Sequence, residues 1–175
     1  LYLGVSAICG PPAAPRVDTD GAPVEYAVRM RQFAPQDELA ALLQADAVTA
    51  ADVGQLGTAI ARFHVAATVA PAGSGFGTPD IIHRVTLDNF AELRALPEAA
   101  AWSTVVDDLE RAVTAMHTRL RRQMLDRQAA GWVRDCRGDL HCGNVVRWAG
   151  TLTPFDGIEF DPKLRFVDVV NDIAF

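Results

Sequence analysis

The sequence predicts an α+β chain: a small β region first, a mainly helical region after it, and a polar loop with a β-hairpin near the end. Three observations carry this prediction. Period-two alternation is confined to the residues before Pro35. Apolar residues at helical spacing run from Leu39 to Met124. The glycine-punctuated loop from Cys136 to Asn144 leads into two short strand-like runs on either side of Ala149-Gly150. The expected division is residues 1–33 for the β region and residues 34–175 for the helical region with its loop.

Leu1–Cys9 is apolar and partly β-branched and reads as a strand; Gly10–Gly21 is rich in Pro, Gly and Asp and reads as a loop or wide hairpin. In Glu25–Phe33, Tyr26, Val28 and Met30 alternate with Ala27, Arg29 and Arg31, which predicts a half-buried strand. A lone hairpin is marginal in water, so more sheet is expected, upstream of Leu1. Pro35 ends the strand, and Pro35–Glu38 fits a first helical turn. The expected stripe there is Leu39, Leu42 and Leu43. Thr49 is the predicted N-cap of a helix over about 51–69, with Val53, Leu56, Ile60, Phe63 and His64 on one face. His64 reads as a satisfied core histidine. Pro71–Pro79 reads as a loop.

Leu87, Phe90, Leu93 and Leu96 predict a helix over Thr86–Leu96, ended by Pro97. A long helix is expected over about 98–130. Its core-facing stripe would include Trp102, Val105, Val106, Leu109, Val113, Met116, Leu120 and Met124. Arg119, Arg121, Arg122 and Arg127 read as a solvated face near its C-terminal end, where cations complement the helix dipole. Gly131 stops the helix, and Trp132-Val133 starts a strand into the polar loop.

The chain has 175 residues, half of them hydrophobic, which is enough for a core. Its net charge of -6 argues against a nucleic-acid partner. No apolar run is long enough to span a membrane. Three cysteines at scattered positions do not make a disulfide framework, so a cytoplasmic setting is expected. The first residue is Leu1 and the last is Phe175, each inside an expected element, so the chain reads as part of a longer protein. There are fifteen arginines and one lysine, Lys163, among the 16 basic residues.

The residues between Cys136 and Asp156 carry the chemistry. Phosphoryl transfer needs a group that accepts or orients the proton of the attacking hydroxyl. It also needs oxygen ligands that hold Mg²⁺ on the nucleotide phosphates. Asp139 suits the first task; Asn144 and Asp156 suit the second. Val145–Trp148 can run outward, Ala149-Gly150 can turn, and Thr151–Phe155 can return, which brings Asp156 back near Asn144. Cys136, His141 and Cys142 offer zinc-ligating atoms but match no closed zinc spacing.

Arg137-Gly138-Asp139 through Asn144 resembles the His-Gly-Asp…Asn loop of aminoglycoside phosphotransferases and related small-molecule kinases, which share the protein-kinase-like fold. Phe155-Asp156-Gly157 resembles that fold's metal-binding segment. The run from Asp168 to Phe175 is similar to the helix that follows it. The resemblance spans the chain and is most specific over 137–172. It implies a remnant of the N-terminal β lobe ahead of a helical C-terminal lobe. It implies Asp139 as catalytic base, Asn144 and Asp156 as Mg²⁺ ligands, and Asp172 and Arg137 as supports of the loop. Met30-Arg31-Gln32-Phe33 would be the hinge whose backbone meets the adenine of ATP. The implied activity transfers the γ-phosphoryl group of ATP to a hydroxyl of a small molecule; the acidic balance suits a cationic acceptor such as an aminoglycoside. Glu159-Phe160-Asp161-Pro162 and Arg165-Phe166-Val167-Asp168 are similar to one branch of the family, some proteins of which carry a further P-loop domain after the kinase-like part.

Arg137 stands where the family usually has His. The family's early-strand lysine and glycine-rich phosphate loop have no counterpart here, and both are expected upstream of Leu1. The alternative is a kinase-like module that binds nucleotide or a partner without catalysis. A metal-assisted hydrolase would use the same carboxylates, with water in place of the substrate hydroxyl.

Overall fold

The computed structural model describes residues 1–174. The first sheet has the order β2-β1-β3, from β1 (Tyr2–Cys9), β2 (Arg16–Val17) and β3 (Pro23–Met30), all antiparallel. The third strand comes from within the Pro/Gly/Asp-rich connection. Asp18 pins it: its carboxylate accepts from the Ser6 hydroxyl (2.9 Å) and the Ala7 N–H (3.0 Å).

The period-two strand is present but ends at Met30, three residues before the predicted end, and it is not half-buried. Tyr26 is 61% exposed and Val28 48%. Among the described residues no helix packs extensively on β3; alternation announced a strand correctly without supplying the layer that would cover it.

After β3 the chain forms a 3-10 turn at Pro35–Asp37, then α1 (Leu39–Gln44) and α2 (Ala50–Ala66). Thr49 caps α2 in a full capping box with Asp52: the Thr49 side chain accepts from the Asp52 N–H (3.1 Å), and Asp52 accepts from the Thr49 N–H (2.9 Å). The next helix, α3 (Pro79–Ala95), starts seven residues ahead of the predicted Thr86. The signal was present in Thr78-Pro79-Asp80: cap, N1 proline and first-turn acid. Then follow a 3-10 turn (Ala99–Ala101) and α4 (Ser103–Ala129).

α3 and α4 are clamped along their polar flanks. Arg94 pairs with Asp107 (2.8 Å) and with Glu110, and Arg121 pairs with Asp80 (2.6 Å). The His83 and His117 rings stack at 4.4 Å. The arginine face of α4 is thus largely ion-paired: Arg122 with Asp126 and Arg127 with Asp168 complete it. The predicted α4 stripe is a correction. Val106 is buried, but Val105, Leu109 and Met116 are half or more exposed. Among the described helices α3 is the one that packs extensively on α4, and one partner cannot cover so wide a stripe. The same holds on α2, where Val53 is exposed, and on α1, where Leu43 is. The chain exposes 11438 Å², against about 8,300 Å² for a folded monomer of its mass.

The last third positions the site. β4 (Val133–Asp135) pairs antiparallel with β7 (Phe166–Asp168), and β5 (Val145–Trp148) pairs with β6 (Thr151–Pro154) in the predicted hairpin. α5 (Pro162–Arg165) leads into β7, and α6 (Val169–Ala174) follows it; the final residue of the predicted last helix, Phe175, lies outside the described residues. The core is small. Leu39 and Leu42 of α1 meet Val145 and Leu152 of the hairpin, with Val48, Leu56 and Leu140 at its margin. The core therefore lies directly beneath the 137–144 loop and fixes the hairpin that carries Asn144.

Candidate active site

The loop between β4 and β5 is built from both ends. Pairing of β4 with β7 brings the start of α6 beside Arg137-Gly138. There Asp172, fully buried, accepts from the Gly138 N–H (2.8 Å), more distantly from the Arg137 N–H (3.5 Å), and from His64 Nε2 of α2 (2.9 Å). Three segments far apart in sequence are thereby tied to one carboxylate. Gly138 has φ +76, and a Cβ there would stand 2.5 Å from the Leu164 carbonyl oxygen, so only glycine fits.

At the other end, His141 caps the 3-10 turn Cys142–Asn144 by accepting from the Gly143 N–H (3.0 Å). Asn144 then turns back on the loop. Its amide nitrogen donates to the Asp139 carbonyl (2.9 Å) and to Asp139 Oδ2 (3.1 Å). The predicted pair is in direct contact. Asn144 spends its nitrogen on Asp139, which leaves its side-chain oxygen for a cation. His141 Nε2 lies 3.8 Å from the same Asp139 oxygen.

Asp156 returns as the hairpin spacing predicted. The Phe155 N–H donates to the Asn144 carbonyl at 2.9 Å, so the segment that carries Asp156 begins where the loop ends. Asp156 is exposed and has φ +59, a left-handed conformation in which non-glycine residues are uncommon. Three contacts hold it there. Its N–H donates to the Tyr2 hydroxyl (2.7 Å), its carbonyl accepts from Arg137 Nη1 (2.8 Å), and its Oδ1 accepts from the Gly157 N–H (2.8 Å).

Arg137 thus links the loop to the Asp156 segment, and its guanidinium also lies over the Phe63 ring at 5.2 Å. A planar cation that stacks and donates at once suits that position. Tyr2 and Phe63 were not among the sequence-predicted site residues. An exposed strand tyrosine and a helix phenylalanine carry no site signal of their own.

Asp139 stands where two clefts meet. One, of about 500 Å³, is lined by Tyr2, Val28, Met30, Asp139, Asp156 and Glu159 among others. The other, of about 360 Å³, lies between α3, α5 and β7 and also includes Asp139; Ile158 lines both. Of the predicted hinge, Met30 lines the first cleft. The Arg31 N–H donates to the Leu1 carbonyl (2.9 Å), Gln32 is exposed, and Phe33 packs edge-on against Phe155 at 4.9 Å.

The cysteines behave as packed or peripheral residues. Cys136 is buried, Cys142 is exposed, and the two do not form a cluster with His141. Burial first, and then the Asp172, Asp135 and Asp168 charges, push the Cys136 thiol up to about 12. Cys136, His64 and Asp172 do have ligand atoms within 4.8 Å of one another. All three are buried, and Asp172 already accepts from the Gly138 N–H and from His64, so the group packs beneath the loop.

No known family profile matches the chain, and no solved structure matches it. It is similar to proteins described as uncharacterised from Mycobacterium tuberculosis and Mycobacterium bovis, each 24% identical over 174 residues. The matched region is 99% of this chain and 33% of each relative, so the chain spans a third of the length of the curated relatives it matches. No described helix is long and apolar enough to cross a membrane.

Proposed function

We propose that the chain carries the catalytic loop and metal segment of an ATP-dependent phosphotransferase of the aminoglycoside-phosphotransferase kind, acting on a hydroxyl of a small molecule. The observation that carries this reading is the place of Asp139 at the junction of two clefts. A donor phosphate on one side and an acceptor hydroxyl on the other would both reach one carboxylate.

In this reading Asp139 accepts or orients the proton of the acceptor hydroxyl. Asn144 holds Asp139 through its amide nitrogen. The Asn144 side-chain oxygen and the Asp156 carboxylate are hard donors of the type Mg²⁺ takes; Asp156 lines the open cleft and Asn144 is bonded to Asp139 at its edge, so the donor chemistry fits the ion. When bound, Mg²⁺ would neutralise phosphate charge during transfer. Asp172 positions the loop through Gly138, and Arg137 positions the Asp156 backbone. Met30 and the strand end beside it would face the adenine. The length by which the relatives exceed this chain leaves room for the β-lobe lysine, the phosphate loop and a further P-loop domain.

The test is ATP turnover by the full-length protein with a panel of hydroxyl acceptors, against Asp139→Asn. Loss of at least about a hundredfold in kcat with unchanged nucleotide affinity supports the base assignment. Retention of most of the activity removes it.

A second reading is a kinase-like module that binds nucleotide or a partner without catalysis. The lining of the nucleotide-side cleft favours it: Asp139, Asp156 and Glu159 are its charged members, and no cation is among them. The two readings separate on whether turnover accompanies binding in the full-length protein.

A further inference from the structure

The second cleft has its own chemistry. Its wall is aliphatic: Ile81, Ile82 and Val85 from α3, Leu164 from α5 and Val167 from β7. Its neutral polar groups are Thr86, Asn89 and Asn171. Two charged residues line it, Asp139 and Lys163. Lys163 is the single lysine of the sequence and is exposed at this cleft. Among the described residues its ammonium has no ion-pair partner.

These facts bear on the acceptor. In the phosphotransferase reading Asp139 takes the reacting hydroxyl, so it is not available to pair with a cation elsewhere on the ligand. Lys163 is then the charge left to match. A polycationic acceptor needs a carboxylate for each buried ammonium group, and this lining offers none besides Asp139. The volume of about 360 Å³ is near the lower end for small-molecule sites. The acidic balance of the whole chain, which suited a cationic acceptor, is not reproduced at this cleft.

We infer that this cleft takes a compact, largely aliphatic alcohol that carries an anionic group, with the anion at Lys163 and the hydroxyl at Asp139. The inference rests on the phosphotransferase reading and names the acceptor class for it. An anionic oxygen at Lys163 could also come from the transferred phosphate; the arms below distinguish the two sources.

The experiment uses the full-length protein and four probes: ω-hydroxydecanoate, decanediol, ω-aminodecanol and the aminoglycoside kanamycin. Affinities are measured by calorimetry without nucleotide, and Mg²⁺–ATP affinity is measured separately. The expected order places ω-hydroxydecanoate first, and tighter than ω-aminodecanol by about tenfold. Lys163→Met, a surface change, should weaken the hydroxy acid by about five- to tenfold while leaving decanediol and Mg²⁺–ATP within twofold. Val85→Trp, on the partly exposed wall, should weaken the hydroxy acid and decanediol together.

Tighter binding of kanamycin or ω-aminodecanol overturns the inference, as does binding of none of the probes at millimolar concentration. A Lys163→Met effect confined to Mg²⁺–ATP overturns it too and assigns the lysine to phosphate. Failure of Mg²⁺–ATP to bind is a different result: it removes the phosphotransferase reading, while the probe ranking is scored without nucleotide.

Discussion

Replacing Asp172 by alanine removes one carboxylate and strands the donors that converge on it. The Gly138 N–H at 2.8 Å and His64 Nε2 at 2.9 Å are both buried contacts, and Asp172 itself is fully buried. Each buried donor left without an acceptor costs about 1–3 kcal/mol. The Arg137 N–H at 3.5 Å is too long to add much. Relief of the carboxylate's own desolvation offsets part of the loss. The expected net cost is about 2–4 kcal/mol. Asp172→Asn keeps one oxygen for Gly138 and should cost about half as much.

The stability assay is urea denaturation followed by far-UV circular dichroism, with His64→Ala and the double variant completing a cycle. Coupling between His64 and Asp172 of about 1–3 kcal/mol is expected. Because Gly138 adjoins Asp139, kcat in the full-length protein should fall by at least about tenfold in folded Asp172→Asn, with little change in nucleotide affinity. A stability loss in Asp172→Ala below about 1 kcal/mol would refute the accounting of stranded donors. Full turnover by a folded, destabilised variant would refute the positioning role.

Gly138→Ala should be more damaging than its size suggests, because the new methyl would meet the Leu164 carbonyl and the backbone is left-handed; a loss of about 2–4 kcal/mol, read as a shift in the urea midpoint, is expected. Phe63→Leu should loosen Arg137 by removing the ring beneath it, and costs about 1 kcal/mol or less because Phe63 is partly exposed; a larger activity loss than stability loss is the signature sought. Of the three thiols, Cys142 should react first with a disulfide reagent under native conditions, since Cys9 and Cys136 are buried; equal rates for all three would contradict the packing. Cys136 keeps its proton to about 12 when folded but to 9.0 when unfolded. Only the unfolded state then releases the proton between those values, so stability should fall as pH rises above about 9, and Cys136→Ala should flatten that dependence.

What the sequence disclosed depended on whether a signal was local. The Asn144–Asp139 contact and the return of Asp156 follow from a nine-residue loop and a tight hairpin, and such short-range geometry is written in glycine positions and strand lengths. The capping box at Thr49 was legible for the same reason. The start of α3 differs because Thr78 and Pro79, its cap and first residue, close a Gly/Ser/Pro-rich stretch that reads as loop.

Burial was the less legible property. The stripes on α4 and β3 have the correct period, yet period states only which residues share a face, not whether a neighbour covers it. Tertiary ties resisted for another reason. Tyr2 reaches Asp156 across 154 positions and His64 reaches Asp172 across 108, and no pattern within either segment names its partner. The division of the site into two clefts was equally invisible, because it depends on how α3 and α5, far apart in sequence, come to line one cleft.

The most direct test of the central proposal is Mg²⁺-dependent ATP binding by the full-length protein, measured by calorimetry for the native sequence and for Asp156→Ala. The account predicts binding that requires Mg²⁺ and that weakens by at least about tenfold in the variant, as expected for loss of one of few protein ligands to the ion. Absence of Mg²⁺-dependent binding, or equal affinity in Asp156→Ala, would contradict it.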